Sequence, residues 1–428
     1  MNRNRVRAFL AVAALVMAVP GLAVAQTSPT PTIPPDPADQ FFDDTVLHEI
    51  RLTINSKDWQ SLKIHYLENT YYPADFRWRD QVARNIGVRS RGTGSRSGVK
   101  PGLRVDFDRY TTDQKFLGLK SFVLRNNTQD ASNMHERISM LLFRRMELAV
   151  SREAHTKLFV NNAYAGMYTI VESVDKPFLK KAYNENDGYL FKYDYNADDK
   201  PYYLEYRGSD PAQYVPSPFK PETRESDPPP QAIAEMIRII NQESAAIFRS
   251  TIAQYLDLQK FIKHIAVEMF LGDNDGFNGN YGTNNFYLYR FENKNLFTFI
   301  AWDKSNAFID GPEYPIWHNI YDVPEANRNR LTIRALGYDD LRTLFLDTLL
   351  ECAKSLSQVD PTTPADTRGW MEREIEKEHD QIKDGVLADP DKPYTNADFE
   401  NEVENLRNFA RQRGDFVKNE VAKARGAL

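Results

Sequence analysis

Residues 271–308 read LGDNDGFNGNYGTNNFYLYRFENKNLFTFIAWDKSNAF. Two acids and five asparagines share the loop before Phe286, and a run of aromatics then leads to a lone acid, Asp303. A turn needs one Asn or Gly, so this density of oxygen-bearing side chains asks for a further reason. Three readings compete: a metal site, a polar surface loop, and the catalytic floor of a phosphotransferase. An EF-hand fails, because with Asp273 as first ligand the sixth position is Asn278 rather than Gly and the twelfth is Asn284 rather than Glu. A kinase-type floor fits better. There an apolar helix delivers an Asp to the acceptor hydroxyl, an Asn a few residues on reaches magnesium, and a strand pair leads to a second Asp that grips the metal. Here the helix is FIKHIAVEMFLG, the first acid is Asp275, and the Asn ligands expected are Asn280 and Asn285. NFYLYRF and LFTFIAW are the strands, and Asp303 is the second acid. A polar surface loop explains the Asn and Gly but not an acid at the end of an apolar strand.

Upstream, NIGVRSRGTGSRSGVKPGLRVDFDRY (85–110) reads as two strands around a Gly/Ser-rich turn. Gly98 is followed by Val99 rather than Lys, so the P-loop pattern fails. Gly92, Gly94 and Gly98 depart by one residue from the G-x-G-x-x-G of kinases but keep its strand–turn–strand setting. Glycines there let backbone N–H groups approach phosphate, with Arg89, Arg91, Arg96, Lys100 and Arg104 as countercharge. A solvated basic hairpin explains the same residues.

The remaining segments frame these two. The strand expected over 46–55 alternates apolar and polar residues, and helix character follows from Ser56. SFVLRNN (121–127) reads as a strand, 131–148 as a helix, 155–175 as a hairpin around Asn161-Asn162, and GYLFKYDY as a further strand. Residues 195–230 are Pro- and Asp-rich and read as a surface insertion with little to bury. From Ala232 onward the pattern is mostly helical. Strands first and helices later, with a small sheet between, predict an α+β, two-lobed plan: an N-terminal lobe of mostly antiparallel sheet over about 41–195 and a mainly helical lobe over about 231–428.

The N-terminus, MNRNRVRAFLAVAALVMAVPGLAVAQ, has a basic start, a short apolar run and an A-x-A end, which predicts a signal peptide over 1–25. A Pro/Thr-rich linker is expected over 26–40. Export to the periplasm, the surface or the medium follows. Cleavage removes three arginines and no acid, lowering the formal net charge of −6 to −9. That charge argues against nucleic acid as a general partner. Cys352 is the only cysteine, so no intrachain disulfide forms. No HExxH, no zinc spacing, no G-x-S-x-G and no later membrane-spanning stretch occurs.

Several segments together resemble the spore-coat-H (CotH) kinase family of atypical secreted or spore-associated kinases. They are RGTGSRSGVKPGLRVDF, FLGLKSFVLRNNTQDASNMHERIS, LFVNNAYAGMYTIVESVDKPFLKK, GYLFKYDY, GDNDGFNGNYGTNNFYLYR and FTFIAWDKSNAF, in the family's order over most of 45–310. The N-G-x-Y-x-G-x-Y…E pattern appears as Asn162, Tyr164, Gly166, Tyr168 and Glu172, with Ala163 in place of the usual Gly. Ala301 stands where the family has Pro before WD, and Ser305 where it tends to carry Asp or Asn. The resemblance implies a divergent two-lobed kinase-like fold that uses ATP and Mg2+ to phosphorylate Ser or Thr of an exported or surface protein. It implies Asp275 at the acceptor hydroxyl and Asp303, Asn285 and Asn280 at the metal. Arg91, Lys100 and Arg104 would lie at the phosphates, with Glu172 pairing with a lysine or touching the nucleotide. TIVES (169–173) would enter the adenine-contacting hinge. A silent scaffold on the same fold and a nucleotidyl transferase are the alternatives.

Overall fold

The computed structural model describes residues 36–194 and 200–426. The expected signal peptide, most of the expected linker and residues 195–199 of the expected insertion lie outside the described residues.

Alternation gives the first strand its face. In β1 (His48–Ile54) Ile50, Leu52 and Ile54 are buried while Glu49 and Thr53 are exposed. β1 pairs antiparallel with β2 (Tyr72–Trp78) and parallel with β6 (Glu153–Val160). β3 (Gln81–Ser90), β4 (Leu103–Asp106), β5 (Ser121–Arg125) and β7 (Ala163–Glu172) complete a closed barrel in the order β1-β2-β3-β4-β5-β7-β6. Its interior is aromatic: Phe41, Phe76, Trp78, Phe107, Phe116 and Phe122 meet edge-to-face or stacked. The end of the expected linker contributes to it, because Pro37–Gln40 forms a 3-10 turn whose Ala38 is buried beside Phe41. The β6–β7 hairpin turns on Asn161 and Asn162, both at positive φ, a conformation that Asn tolerates.

A second, four-stranded antiparallel sheet runs β11-β10-β8-β9, with β8 at Tyr189–Tyr193, β9 at Phe219–Pro221, β10 at Phe286–Arg290 and β11 at Phe297–Ala301. Helices α1 (Ser56–Ile64) and α2 (His135–Arg145) are interleaved with the barrel strands, and α3 (Lys176–Tyr183) links the barrel to the second sheet. The C-terminal region is helical: α4 (Gln231–Gln242), α5 (Phe248–Ile252), α6 (Leu258–Leu271), α7 (Arg330–Leu336), α8 (Asp339–Leu356), α9 (Trp370–Leu387) and α10 (Asn396–Gly426). The fold is therefore α+β, sheet-rich first and helical later. No helix among the described residues is long and apolar enough to cross a membrane.

α6 is buried on nearly every face. Asp257 caps its start, accepting from Gln259 N at 3.0 Å and Lys260 N at 3.2 Å. Gly272 ends it at φ +62°, which turns the chain into the Asp/Asn loop.

The insertion reading of 195–230 needs correction. Proline and acid content suggested little to bury, yet Tyr202, Leu204, Tyr214 and Phe219 are all buried in the main core, and β9 lies here. Aromatic residues spaced without periodicity anchor the segment one at a time, which a window-based reading does not detect.

Candidate active site

β10 and β11 fix the two acids of the opening stretch. Phe286 pairs with Ala301, so Asn285 and Trp302 meet where the strands end, and Trp302 N donates to Asn285 O at 3.1 Å. Both Asn285 (φ +57°) and Asp303 (φ +53°) are left-handed, which swings their side chains off the sheet. They open into a cleft of about 350 Å³ beneath the glycine turn, together with Asp275, Asn306, Arg91, Arg104 and Lys192.

Asp275 is held by amides alone. Its Oδ1 accepts from Asn284 Nδ2 at 2.9 Å, and its Oδ2 from Asn285 Nδ2 at 2.9 Å and Asn306 Nδ2 at 3.2 Å. Burial raises its carboxyl above the ordinary range, and the Asp303 charge adds to this. The carboxylate is thus oriented but not neutralised by a cation.

Asp303 is the opposite case. Arg125 Nη1 donates to its Oδ1 at 2.7 Å and Ser305 Oγ at 3.0 Å. Burial works against ionisation there, but Arg125 and Arg91 outweigh it and hold the carboxyl down at about 2. Arg125 also bonds Glu136 of α2, Nη2 to Oε1 at 2.6 Å, so one guanidinium joins a helix carboxylate to the cleft acid. Glu136 lies beside Glu153, and burial pushes it up to about 7.

A fully buried ion cluster lies under both acids. Lys304 Nζ contacts Glu268 Oε1 at 2.5 Å and Asp273 Oδ2 at 2.8 Å, and Glu268 Oε2 accepts from Phe277 N at 2.9 Å. One lysine thereby ties α6, the start of the Asp275 loop and the end of β11 together, which fixes the two acids relative to each other.

The cations divide by whether they have partners. Arg96 braces the turn, donating to Gly92 O at 2.8 Å, Tyr66 O at 2.8 Å and Asn69 Oδ1 at 2.6 Å. Gly92 itself is at φ +114°, where a side chain would be strained. Arg91 and Lys192 have no side-chain hydrogen bond or ion pair among the described residues, although Arg91 lies 5.7 Å over the Trp302 ring. Burial lowers Arg91 to about 10, with repulsion from Arg125 adding to it, and lowers Lys192 to about 8, with repulsion from Arg91 adding to it. Two unsatisfied cations beside ordered carboxylates make an anion site.

Three of the expected residues are elsewhere. Lys100 is buried in an ion pair with Asp389 at 2.7 Å and does not line the cleft. Glu172 is bound by Arg152, whose Nε donates to Oε2 at 3.0 Å, so its partner is an arginine. Asn280 accepts from His318 and from Asn319 Nδ2 at 2.8 Å and borders a separate cavity. Asp275, Asn285, Asp303, Arg91 and Arg104 do converge. Of TIVES, Ser173 reaches the cleft. Arg125, Lys192 and Asn306 were not singled out from sequence; only Asn306, three residues after Asp303 in the motif itself, carried a local signal.

The oxygen donors present suit magnesium. No cluster of three or more His, Cys, Asp or Glu that could hold a metal occurs among the described residues. Asp303, Asp275 and the Asn285 amide line the cleft instead. One or two carboxylates completed by substrate phosphates are the usual magnesium arrangement.

A family model described as CotH kinase protein matches residues 88–417. Inner spore coat protein H of Bacillus subtilis (strain 168) is 25% identical over 380 residues, spanning 87% of this chain and 97% of that protein. The crystal structure of the Helicobacter pylori proinflammatory kinase CtkA aligns at 10% identity with a TM-score of 0.29, over 76% of this chain and 95% of that one.

Proposed function

The chain belongs to the CotH kinase family, and from that premise we propose that it is an exported atypical protein kinase, moving phosphate from ATP to Ser or Thr of an exported or surface protein. Its divergent kinase-like plan would place the barrel over the nucleotide and the helical region beneath it. The observation that carries this reading is the convergence, under one glycine turn, of Arg91, Asp275, Asn285 and Asp303 from three separate stretches of chain.

Each residue has a task in that chemistry. Arg91 and Lys192 attract the phosphates and lose no existing partner in doing so. Arg125 and Asp303 neutralise one another in the structure described, and Asp303 together with the Asn285 amide would hold the metal. Magnesium, when bound, spreads the negative charge that builds on the transferred group. Asp275 accepts a hydrogen bond from the acceptor hydroxyl and takes its proton as the new P–O bond forms and the bond from the transferred phosphorus to the departing ADP oxygen breaks. Its raised carboxyl is better matched to that proton than an ordinary Asp. The amides of Asn284, Asn285 and Asn306 orient it without quenching its charge.

The test is calorimetric titration of ATP with and without magnesium. Wild type should bind ATP more tightly with the metal, and Asp303→Ala should lose that gain. The loss should be at least the roughly 10–100-fold that removing an outer-shell partner costs a metal site. ATP binding that ignores both magnesium and Asp303 would remove Asp303 from the metal. No binding by wild type would favour a silent scaffold with the same fold.

A further inference from the structure

The loop that carries Asp275 has a second face, which none of the chemistry above uses. Asp275, Asn284 and Asn285 line the cleft, whereas Phe277, Asn278, Asn280 and Gly282 wall a separate cavity of about 90 Å³. The loop is closed on itself, with Asn280 N donating to Asn274 O at 2.7 Å. On one side Pro201 packs so closely that a Cβ at Gly282 would lie 2.8 Å from its own, and Tyr203 continues that wall. Asn319 and Asn327 form the other side. The space holds about three waters or one small side chain.

Its polar groups are uncharged, and two of them are open. Asn278 is only 3% exposed; Thr332 Oγ1 donates to its Oδ1 at 2.9 Å, while its Nδ2 has no hydrogen-bond partner among the described residues. A buried amide N–H is costly to leave unpaired, so a group that accepts from it is held firmly. Asn329 does not serve it: its Nδ2 donates to Thr283 Oγ1 at 3.0 Å, and its Oδ1 caps α7 at Thr332 N. Asn319 Nδ2 donates to Asn280 Oδ1 at 2.8 Å, which leaves the Asn319 oxygen open at the half-buried rim. An inner donor and an outer acceptor suit a group that accepts on one atom and donates on its neighbour, as a primary carboxamide does. No ionic side chain lines the walls among the described residues, so a carboxylate or ammonium would be desolvated there without a counterion.

We infer that this cavity receives an Asn or Gln side chain of the acceptor protein, a few residues from the Ser or Thr that is phosphorylated. The inference rests on the kinase reading proposed above and adds a determinant of its acceptor. Phe277 follows Asp275 by two positions, so their Cα atoms are at most about 7 Å apart. An extended acceptor strand whose hydroxyl meets Asp275 covers that span in about two or three residues. Its carboxamide oxygen then accepts from Asn278 Nδ2, and its N–H donates to the Asn319 oxygen.

The test is phosphorylation by the full chain, with magnesium–ATP, of peptides that carry one Ser and, at each nearby position in turn, Gln, Leu, Glu or Lys. At one such position wild type should favour Gln over Leu by about three- to tenfold in kcat/KM, the scale of a net hydrogen bond, and should not favour Glu. Asn278→Asp keeps the Thr332 bond but sets a carboxylate oxygen where the N–H was, so the preference should move from Gln to Lys. Asn319→Ala changes the rim rather than the core, and should lower the Gln preference without moving it to Lys. The Leu peptide is the reference within each variant, because a loss of folded protein slows all peptides alike and leaves their ratios unchanged. A cavity that only holds water predicts a flat profile in wild type, which overturns the inference and spares the kinase reading. A Gln preference that persists in both variants does the same. A wild type that phosphorylates no peptide overturns both.

Discussion

Asp275→Asn should lower phosphate transfer by about a hundredfold or more, the usual scale for a positioned base, while ATP remains bound. The substitution keeps the shape of the side chain and removes only its charge and its ability to take a proton. Asn284 still finds an oxygen to donate to. The position of Oδ2 now carries N–H groups that face the Asn285 and Asn306 amides, 2.9 and 3.2 Å away in the wild type. Those two must turn their oxygens inward, which is possible for an amide and impossible for a cationic partner. Because Asn285 is also an expected metal ligand, a modest loss of magnesium-dependent affinity should accompany the loss of rate. Asn306→Ala separates the two effects, since it removes one orienting amide and leaves the acid. Its rate should fall less than that of Asp275→Asn, with ATP affinity unchanged. Phosphorylation of a serine-rich acceptor, ATP affinity and melting temperature should be measured on each variant. A surface loop without chemistry predicts no change in rate, and a purely structural loop predicts a fall in melting temperature instead.

The parts of this site visible in the sequence are those whose signal is local. β10 and β11 announce themselves by aromatic alternation, and an acid directly after an apolar strand is anomalous wherever the strand goes. Asp275, Asn285 and Asp303 were therefore legible. Arg125 and Lys192 were not, because each sits in a strand whose pattern explains a basic residue as an ordinary solvent-facing position. Only the pairing of β8 with β10 on one side and β9 on the other brings Lys192 near Asp303 and Glu222, which act on it electrostatically. Asn280 failed for a related reason. In a loop with five asparagines, spacing does not say which amides turn inward, and His318 and Asn319, nearly forty residues on, decide it. The barrel was only partly legible: its strands from 85 to 172 read as short apolar or alternating runs, whereas β2, Tyr72–Trp78, was missed, and its closure through the parallel β1–β6 pair has no local mark at all.

Lys100 is the sharpest case, and its replacement carries the second large expected effect. A lysine eight residues after the first glycine of a basic turn reads as a phosphate ligand. In the fold its ammonium is buried against Asp389, 289 positions away, and its backbone carbonyl accepts from Asn126 Nδ2 at 2.7 Å. Asp389 Oδ2 also accepts from Met167 N at 2.9 Å, and a Cβ at the adjoining Gly166 would lie 2.5 Å from the same carboxylate. The loop after α9 is thus pinned to β7 and to the glycine turn through one ion pair. Burial lowers the Lys100 ammonium and Asp389 partly restores it, the signature of a charge kept only by its partner. Lys100→Ala strands the carboxylate, so stability should drop by about 3–5 kcal/mol, the range for removing one member of a buried pair. Lys100→Met with Asp389→Asn removes both charges at similar volume, and much of the loss should return. Urea unfolding of the three variants measures both quantities. Titration below the unfolding range supplies the other half: ATP and adenosine affinities should change by the same factor in Lys100→Ala, because no phosphate meets this side chain. A selective loss of ATP affinity at unchanged stability would instead return Lys100 to the phosphates, and would mean that the turn opens away from Asp389 when nucleotide binds.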